Sequence, residues 1–284
     1  MSALDDTRLV VTDLDGTLLD EDTYDLAPAR PGLDALRERR LSLVLCSSKT
    51  RAEMEPLAQE LGLDAPLIVE NGGAIVLRAR MLPFLPPGGR RDGDRLVVPL
   101  GTARSALVAA LDEVAEEAGV AVRSFAVMTP GEVAERTGLG REAAARALKR
   151  EWDEPFVVDP EGGDGTTARL EEAARRRGLR VTRGGRFHHL TGTSDKGLAV
   201  RMVLQLLPHD SHGRTVGLGD AANDLPMLEA VDRPIVMPRK DGTVDAALAA
   251  ALPGAERAPE PGPAGWSAAI LGILGGEPLA RVPV

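Results

Sequence analysis

Short apolar segments alternate with amphipathic helical segments at both ends of the chain, and this alternation limits the fold more than any other feature. Near the N-terminus the apolar segments Leu9–Val11, Leu41–Cys46 and Leu67–Val69 each lead into a polar cluster. Helical patterns over about Ala29–Arg40 and Thr50–Leu61 lie between them. Buried strands joined by helices predict a doubly wound parallel sheet, in which the residues that follow the strands gather at one edge.

The same alternation returns after residue 194, whereas the middle of the chain differs. Residues 83–93 are rich in Pro, Gly and Arg, and mixed helix and strand patterns follow them. After residue 194 the pattern predicts a helix, a strand, a helix, a strand and a last helix, at Asp195–Leu207, Thr215–Leu218, Asp224–Ala230, Pro234–Met237 and Trp266–Leu274. We therefore predict an α/β fold: a Rossmann-like core of residues 1–82 and 190–284, with an α+β cap of residues 83–189 inserted into it.

Composition excludes several classes of function. The 284 residues suffice for one large domain or two ordinary ones. The formal net charge of −9, with acids and bases interspersed, argues against binding of nucleic acid. The single Cys46 rules out an intrachain disulfide and favours a reducing compartment. Because no signal-peptide pattern or membrane-length apolar stretch is visible, we predict a cytoplasmic protein without a membrane partner. The oligomeric state is left open.

The first polar cluster, Asp13-Leu14-Asp15-Gly16-Thr17, follows a predicted strand directly. Its two carboxylates can point into one site while Leu14 turns away, and Gly16 lets the backbone turn sharply. An aspartate can act as a nucleophile toward phosphorus, and a second carboxylate can protonate the leaving oxygen and then deprotonate water. Taken alone, the cluster also fits a solvated turn.

The second and third clusters add a hydroxyl group and a lysine at helix starts. Ser47 follows the second strand, where a hydroxyl and backbone N–H groups can hold a phosphate oxygen, although such residues also cap ordinary helices. Lys196 lies in the first turn of a predicted helix, where the helix dipole disfavours a cation. A nearby anion or a group of aspartates explains this position, and an ordinary surface lysine is the alternative.

The fourth cluster, Gly219-Asp220-Ala221-Ala222-Asn223-Asp224, follows the predicted strand Thr215–Leu218. Its carboxylate and amide oxygens are the hard ligands that Mg²⁺ prefers, and an acidic helix start is the plain alternative. Together the four clusters supply a nucleophile, an acid–base group, a hydroxyl donor, a lysine and a metal site on one sheet. This combination favours phosphoryl transfer.

The four clusters, in this order, resemble the four motifs of the haloacid-dehalogenase-like (HAD) phosphatases, and the resemblance spans the whole chain. The inserted α+β segment resembles the large cap of the sugar-phosphatase branch. The resemblance implies that Asp13 attacks phosphorus and forms an aspartyl-phosphate, while Asp15 is the general acid and then the general base. It also implies that Ser47 and Lys196 neutralise the phosphate oxygens.

The same resemblance implies a Mg²⁺ cofactor. The metal ligands are expected to be the Asp13 carboxylate, the Asp15 backbone carbonyl, Asp220 and, directly or through water, Asp224. Asn223 is expected to orient Lys196 or the metal ligands.

Further segments resemble the mannosyl-3-phosphoglycerate phosphatase family within this superfamily. They are Ser47-Ser48-Lys49-Thr50, Glu70-Asn71-Gly72-Gly73, Arg150-Glu151-Trp152-Asp153-Glu154-Pro155-Phe156, Gly184-Gly185-Arg186-Phe187-His188-His189-Leu190 and Pro238-Arg239-Lys240-Asp241-Gly242. The resemblance implies hydrolysis of a glycosyl-3-phosphoglycerate, with mannosyl-3-phosphoglycerate as the first expectation, to the glycosylglycerate and phosphate. Such a substrate presents a phosphate, a carboxylate and a polyol ring.

On this resemblance we assign substrate binding to Ser48, Lys49, Glu70, Asn71, Arg186 and His188. Arg186 is expected to clamp the carboxylate bidentately, with His188 as a further donor. Glu70 and Asn71 are expected to bind sugar hydroxyls. The structural alternatives are that Arg186 pairs with a cap carboxylate, that His188 is a satisfied strand residue, and that Trp152 packs in the cap.

Other functions remain possible on the sequence alone. Another HAD sugar-phosphate phosphatase or a phosphomutase would share the core motifs, and release of free phosphate separates a phosphatase from a mutase. A phospho-accepting receiver domain also combines aspartates, a hydroxyl and a lysine, but it has no place for a cap of about 100 residues or for Asp13-Leu14-Asp15-Gly16-Thr17. A non-catalytic metabolite sensor would normally lack one motif. The choice between a mannosyl and a glucosyl substrate is left open.

Overall fold

The computed structural model describes residues 7–158, 165–184, 187–207 and 214–282. Its described strands form a ten-stranded and a four-stranded sheet. The larger sheet contains β1 (Thr7–Thr12), β2 (Ser42–Cys46), β3 (Leu67–Val69), β4 (Ala74–Arg78), β5 (Arg90–Asp92), β6 (Arg95–Pro99), β11 (Arg214–Gly219), β12 (Arg233–Val236), β13 (Glu256–Arg257) and β14 (Ala280–Arg281). The smaller contains β7 (Val122–Ser124), β8 (Asp153–Val158), β9 (Arg180–Gly184) and β10 (Phe187–Thr191).

The large sheet has the order β14-β13-β12-β11-β1-β2-β3-β4-β6-β5. The six strands from β13 to β3 run parallel, and antiparallel strands flank them at both edges. The chain leaves β1 toward β2 and β3, and it later returns to the other side of β1 as β11. This reversal of direction at β1 is the switch point where open α/β sheets hold their ligands.

Helices cover both faces of the large sheet because the side chains of its buried strands alternate between two apolar layers. Val10 and Leu45 face the layer of α1 (Arg30–Glu38), α2 (Arg51–Glu60) and α10 (Gly262–Gly275). Val11 and Val44 face the layer of α7 (Lys196–Leu206), α8 (Leu225–Leu228) and α9 (Ala246–Ala251). The predicted α/β class and doubly wound arrangement are confirmed.

The small sheet is antiparallel, with the order β7-β8-β10-β9. Its apolar cluster with Leu190 and Phe156 includes residues of α3 (Arg104–Ala118) and α6 (Thr166–Arg175). A second cluster brings Phe125 and Phe187 together with α4 (Pro130–Thr137) and α5 (Arg141–Ala147). The sheet therefore has an α3–α6 side and a side that carries Phe187.

The strand pairing does not support a cap that begins at residue 83, as the sequence predicted. β5 and β6 lie inside the predicted cap range, but β6 pairs with β4 and extends the large sheet. Gly101 and Gly192 mark the two crossings to the small sheet. A Cβ atom on Gly192 would lie 2.4 Å from Thr102 Oγ1, so the crossings touch. We therefore propose that the cap spans residues 102–191.

Within the described ranges, none of the helices combines the length and apolar character needed to span a bilayer.

Candidate active site

The first cluster lies at the carboxyl end of β1, in the centre of the sheet. The Asp13 backbone N–H donates to the Leu218 carbonyl at 2.9 Å, which keeps the residue in register with β11. Leu14 is fully buried in the core, as expected. Thr12 supports the strand end from below, since its hydroxyl accepts the indole N–H of the buried Trp266 at 2.9 Å.

Lys196 joins the first and fourth clusters. Its side chain is 1% exposed, and its Nζ donates to Asp13 Oδ1 at 2.6 Å and to Asp224 Oδ1 at 2.5 Å. Burial by itself lowers the pKa of Lys196, but Asp13 and Asp224 outweigh burial and raise it well above its ordinary value. The lysine therefore stays charged, and the aspartates explain its position at the start of a helix.

Asp224 is held by backbone as well as by Lys196. Its Oδ2 accepts the backbone N–H groups of Asp220 and Ala221, each at 3.0 Å. A Cβ atom on Gly219 would lie 2.6 Å from the Cβ of Asp224, so only glycine lets the loop fold back this closely. The loop thus turns the carboxylates of Asp220 and Asp224 toward Asp13.

The three carboxylates of Asp13, Asp220 and Asp224 have ligand atoms within 4.8 Å of one another. Burial, and then the charge of Asp224, raise the pKa of Asp13 well above its ordinary range, although Lys196 opposes them. Burial and Asp224 also raise the pKa of Asp220 to about 7. One lysine facing three carboxylates leaves two negative charges when all are ionised, and a divalent cation balances them. The oxygen donors and their crowding therefore fit Mg²⁺.

Gly16 makes room for this cluster. Its φ of +78° lies in the left-handed region, and a Cβ atom there would lie 2.8 Å from Asp220 Oδ2. Thr17, one residue later, donates its hydroxyl to Asp220 Oδ1 at 3.2 Å.

Asp15 and Lys49 face each other across the site. Lys49 Nζ lies 2.8 Å from Asp15 Oδ2 and 4.7 Å from the centroid of the Tyr24 ring. Burial by itself lowers the pKa of Lys49, but Asp15 outweighs it and raises the pKa above its ordinary value. Asp15 Oδ1 is buried and has no hydrogen-bond partner among the described residues. Ser47 is almost fully buried, and its Oγ accepts the Lys49 backbone N–H at 3.2 Å.

A cleft of about 460 Å³ opens above these residues, between the large sheet and the cap. Its core side includes Asp13, Asp15, Ser48, Lys49, Glu53, Asp220, Asn223 and Arg239. Its cap side includes Phe125, Thr137, Leu139, Ala147, Arg150, Pro155, Arg183, Phe187 and His189. The cleft is thus acidic at its core end and basic and aromatic at its cap end.

Glu70 has a different position from the predicted one. It is 1% exposed, and its carboxylate accepts the backbone N–H groups of Glu151 at 3.0 Å and Trp152 at 2.8 Å. Burial raises the pKa of Glu70 to about 7, against the lowering influence of Arg150. Because its oxygens are occupied and sealed from solvent, Glu70 joins the core to the cap and does not reach a sugar hydroxyl.

His188 is also displaced from the predicted role. Its Nε2 lies 3.0 Å from Thr167 Oγ1, and its ring stacks on Phe156 at 5.4 Å. Successive side chains of a strand point to opposite faces, so His188 lies on the face covered by α6 and the next residue, His189, faces the cleft. His189 Nδ1 lies 2.8 Å from Asp153 Oδ2.

The other residues predicted to bind substrate have different outcomes in the structure. Ser48 and Lys49 line the cleft, as expected. Asn71 accepts a hydrogen bond from Asn223 Nδ2 at 3.3 Å, so Asn223 contacts Asn71 rather than Lys196. Arg186 lies outside the described residues. Trp152 is 5% exposed and packs in the apolar cluster beneath the site.

Sequence reasoning missed Arg150, His189 and the aromatic pair on the cap side of the cleft. The Phe125 and Phe187 rings meet edge to face with centroids 5.0 Å apart. The sequence did carry a signal for His189. Leu190 is the aliphatic residue of β10, and because successive side chains of a strand point to opposite faces, Phe187 and His189 lie on the face away from Leu190.

Comparison with known proteins agrees with this geometry. Residues 10–82 match the family model described as haloacid dehalogenase-like hydrolase. A solved structure from Thermoplasma acidophilum superposes with a TM-score of 0.65 at 19% identity, covering 94% of this chain and 97% of that one. The sucrose-phosphatase of Synechocystis superposes with a TM-score of 0.60 at 17% identity, covering 94% and 98%. These structures share the fold. The chain is a haloacid-dehalogenase-like hydrolase.

Relatives with higher sequence identity show which family of these hydrolases the chain belongs to. The glucosyl-3-phosphoglycerate/mannosyl-3-phosphoglycerate phosphatase of Methanococcoides burtonii is 37% identical over 269 residues, covering 94% of this chain and 97% of the relative. The mannosyl-3-phosphoglycerate phosphatase of Pyrococcus furiosus is 36% identical over 225 residues, covering 79% and 88%. The chain belongs to the mannosyl-3-phosphoglycerate phosphatase family of these hydrolases.

Proposed function

We propose that this protein hydrolyses the phosphate ester of a glycosyl-3-phosphoglycerate, mannosyl or glucosyl, to the glycosylglycerate and phosphate. The observation that carries the proposal is the buried contact of Lys196 with Asp13 and Asp224, at the floor of a cleft of about 460 Å³. The substrate follows from relatives that are 37% and 36% identical to this chain and carry these activities in their names.

Asp13 is the nucleophile in this proposal. Its carboxylate oxygen forms a bond to phosphorus while the bond from phosphorus to the ester oxygen breaks. Asp15 gives its proton to the departing oxygen, then takes a proton from water, which attacks the aspartyl-phosphate and releases phosphate. Both carboxylates line the same cleft, and Asp15 reaches it from two residues further along the same turn.

Lys196 supplies fixed positive charge to the phosphoryl group. Phosphoryl transfer depends on alignment and on charge stabilisation, and a cation that is already desolvated acts strongly because little solvent must rearrange. Ser47 holds the loop that carries Ser48 and Lys49. Lys49 pairs with Asp15 at 2.8 Å, from where it can pass to a phosphate oxygen.

Asp13, Asp220, Asp224 and the backbone carbonyl of Asp15 would hold Mg²⁺. Bound Mg²⁺ supplies two positive charges beside the phosphate, and the crowded carboxylates supply its oxygen ligands. Asp224 also positions Lys196, so its loss is expected to disturb both the metal site and the lysine.

The test is release of free phosphate with Mg²⁺ from mannosyl-3-phosphoglycerate, glucosyl-3-phosphoglycerate, 3-phosphoglycerate, a mannose phosphate and sucrose phosphate. We expect the two glycosyl-phosphoglycerates to exceed the others in kcat/KM. The Asp13→Asn variant is the negative control, since its amide cannot act as the nucleophile. A preference for simple sugar phosphates would overturn the substrate assignment, and transfer of phosphate without release would overturn hydrolysis.

A further inference from the structure

Among the described residues on the cap side of the cleft, Arg150 is a cation that is both held in place and removed from water. The Arg150 side chain is 8% exposed, and its Nη1 donates to Asp153 Oδ2 at 2.8 Å and to the Ser48 carbonyl at 3.1 Å. The guanidinium carbon lies 5.9 Å from the centroid of the Phe125 ring. Three contacts from three segments therefore hold the guanidinium in one orientation.

Asp153, which holds Arg150, is itself completely buried. Burial by itself raises the pKa of Asp153, but His189 and Arg150 outweigh it and lower the pKa below its ordinary value. His189 Nδ1, at 2.8 Å, donates to this carboxylate because an ionised carboxylate only accepts. One buried anion thus positions two side chains that line the cleft, Arg150 and His189.

Arg150 still has donor capacity to spare. Its Nε is buried and has no hydrogen-bond partner among the described residues. A buried donor without a partner is costly, and a charged donor is more so. Among the described residues, Glu53 and Glu70 also lie near Arg150. The Glu53 carboxylate accepts the N–H and hydroxyl groups of Thr50, and the Glu70 carboxylate accepts the Trp152 backbone N–H. Because both carboxylates are already held, an acidic group of the bound molecule is the partner that completes Arg150.

The other cations of the cleft fit this role less well. Lys49 contacts Asp15 at the phosphate end of the cleft, where the proposed mechanism already uses it, and the Arg239 side chain is 52% exposed. Arg183 is exposed. An ionic contact is strongest where water is excluded and the groups are already in place, which singles out Arg150.

The position of Arg150 also matches the length of the substrate. Through the Ser48 carbonyl it is attached to the loop of Ser47 and Lys49, the phosphate end of the cleft. In a 3-phosphoglycerate unit the phosphate and the carboxylate lie at the two ends of three carbon atoms. A cation fixed beside the phosphate loop therefore suits a carboxylate on the same short unit.

We propose that Arg150, positioned by Asp153, binds the carboxylate of the phosphoglycerate part of the substrate and thereby selects this substrate over simple sugar phosphates. This inference rests on the proposed function. It gives the carboxylate to Arg150, whereas sequence resemblance gave it to Arg186.

The experiment compares kcat/KM for glucosyl-3-phosphoglycerate with kcat/KM for its carboxamide, which keeps size and shape but lacks the charge. For the wild-type protein we expect a preference of about 100-fold for the carboxylate, because charge-assisted hydrogen bonds to a buried arginine discriminate at this level. In Arg150→Gln we expect the preference to fall to about 3-fold or less. In Arg150→Lys, which keeps the charge but loses the planar fork, about 10-fold should remain.

Two further variants serve as controls. One tests whether loss of any nearby positive charge has the same effect, and the other tests whether Arg186 binds the carboxylate. Lys149→Gln removes a cation from the adjacent exposed position, and the preference should stay at the wild-type value. Arg186→Gln tests the alternative site, and the preference should again be kept. A structural defect in the cap lowers turnover of both compounds together and leaves their ratio unchanged.

Three results would overturn the inference: equal turnover of both compounds by the wild type, a retained preference in Arg150→Gln, or a preference lost in Arg186→Gln instead. If the wild type releases phosphate from neither compound, the proposed function fails, and this inference fails with it. If the wild type turns over the carboxylate and the carboxamide equally, the inference about Arg150 fails but the proposed function stands. The wild-type comparison needs no variant, so a misfolded Arg150→Gln does not block the test.

Discussion

Glu70→Gln should change the pH dependence of stability in a way that follows from the burial of this carboxyl group. Glu70 is 1% exposed, and its folded-state pKa is about 7, against 4.5 for an ordinary glutamate. Because the folded pKa is the higher one, the stabilising contribution is fully present below pH 4.5 and is lost as the pH rises through 7. A pKa difference of this size corresponds to about 3 kcal/mol.

Glutamine cannot ionise, so the Glu70→Gln variant does not lose this stability as the pH rises. At acidic pH it should be less stable than the wild type by about 1–2 kcal/mol, because one carboxyl oxygen that accepts backbone N–H groups becomes an amide donor. Between pH 4.5 and pH 8 the difference in the free energy of unfolding should then move by about 3 kcal/mol in favour of the variant. The slope with pH, rather than the offset, is the diagnostic quantity.

Urea unfolding followed by fluorescence of the two tryptophans at several pH values measures this slope. Glu60→Gln, an exposed glutamate on α2, is the matched control and should run parallel to the wild type. If Glu70→Gln also runs parallel to the wild type from pH 4.5 to pH 8, Glu70 is not a buried carboxyl group with a raised pKa, and the reasoning fails.

Other substitutions address the catalytic centre. Asp13→Asn should reduce phosphate release at least 1,000-fold, as expected for loss of a nucleophile, while near-UV circular dichroism stays that of the wild type; near-normal activity would exclude Asp13. Lys196→Met should lower the free energy of unfolding at pH 7 by about 3–5 kcal/mol in urea titrations, since it leaves buried carboxylates without their cation, and a loss below about 1 kcal/mol would contradict the ion-pair geometry. Gly16→Ala should abolish activity in the phosphate assay because its Cβ would lie 2.8 Å from Asp220 Oδ2, whereas Gly62→Ala, also at positive φ but in open space, should cost about 1 kcal/mol and leave activity intact.

The parallel core of the fold follows from sequence because strands buried on both faces must be continuously apolar. Leu9–Val11, Leu67–Val69 and the strand at β11 show this directly. β6 is apolar and buried at Leu96–Val98, but β5 is not, since Arg90–Asp92 is exposed and the preceding segment is rich in Pro and Gly. The pairing of β6 with β4 makes the hairpin of β5 and β6 part of the large sheet, and such a tertiary contact leaves no periodic pattern.

The meeting of the first and fourth clusters was predictable for the same reason, whereas the cap end of the cleft was not. Strand ends of one parallel sheet converge, so Asp13 after β1 and the loop of Asp224 after β11 meet through topology. Lys196 reaches them from the first turn of α7. The choice between His188 and His189 depends on which face of the small sheet α6 covers. Glu70 lies at φ +50°, a left-handed conformation that turns its carboxylate toward the backbone of the cap, and sequence does not indicate it.

The pairing of β1 with β11 has a consequence for how the protein is made. Thr7 aligns with Arg214, so the two halves of the proposed catalytic centre are separated by about 200 residues of chain. During synthesis the N-terminal strands emerge long before their central partner, and they expose an unpaired parallel edge meanwhile. Folding of the inserted segment brings its two ends together, where Gly192 meets Thr102, and so shortens the loop that must close. We therefore expect the cap to fold ahead of the core, with the catalytic centre forming last.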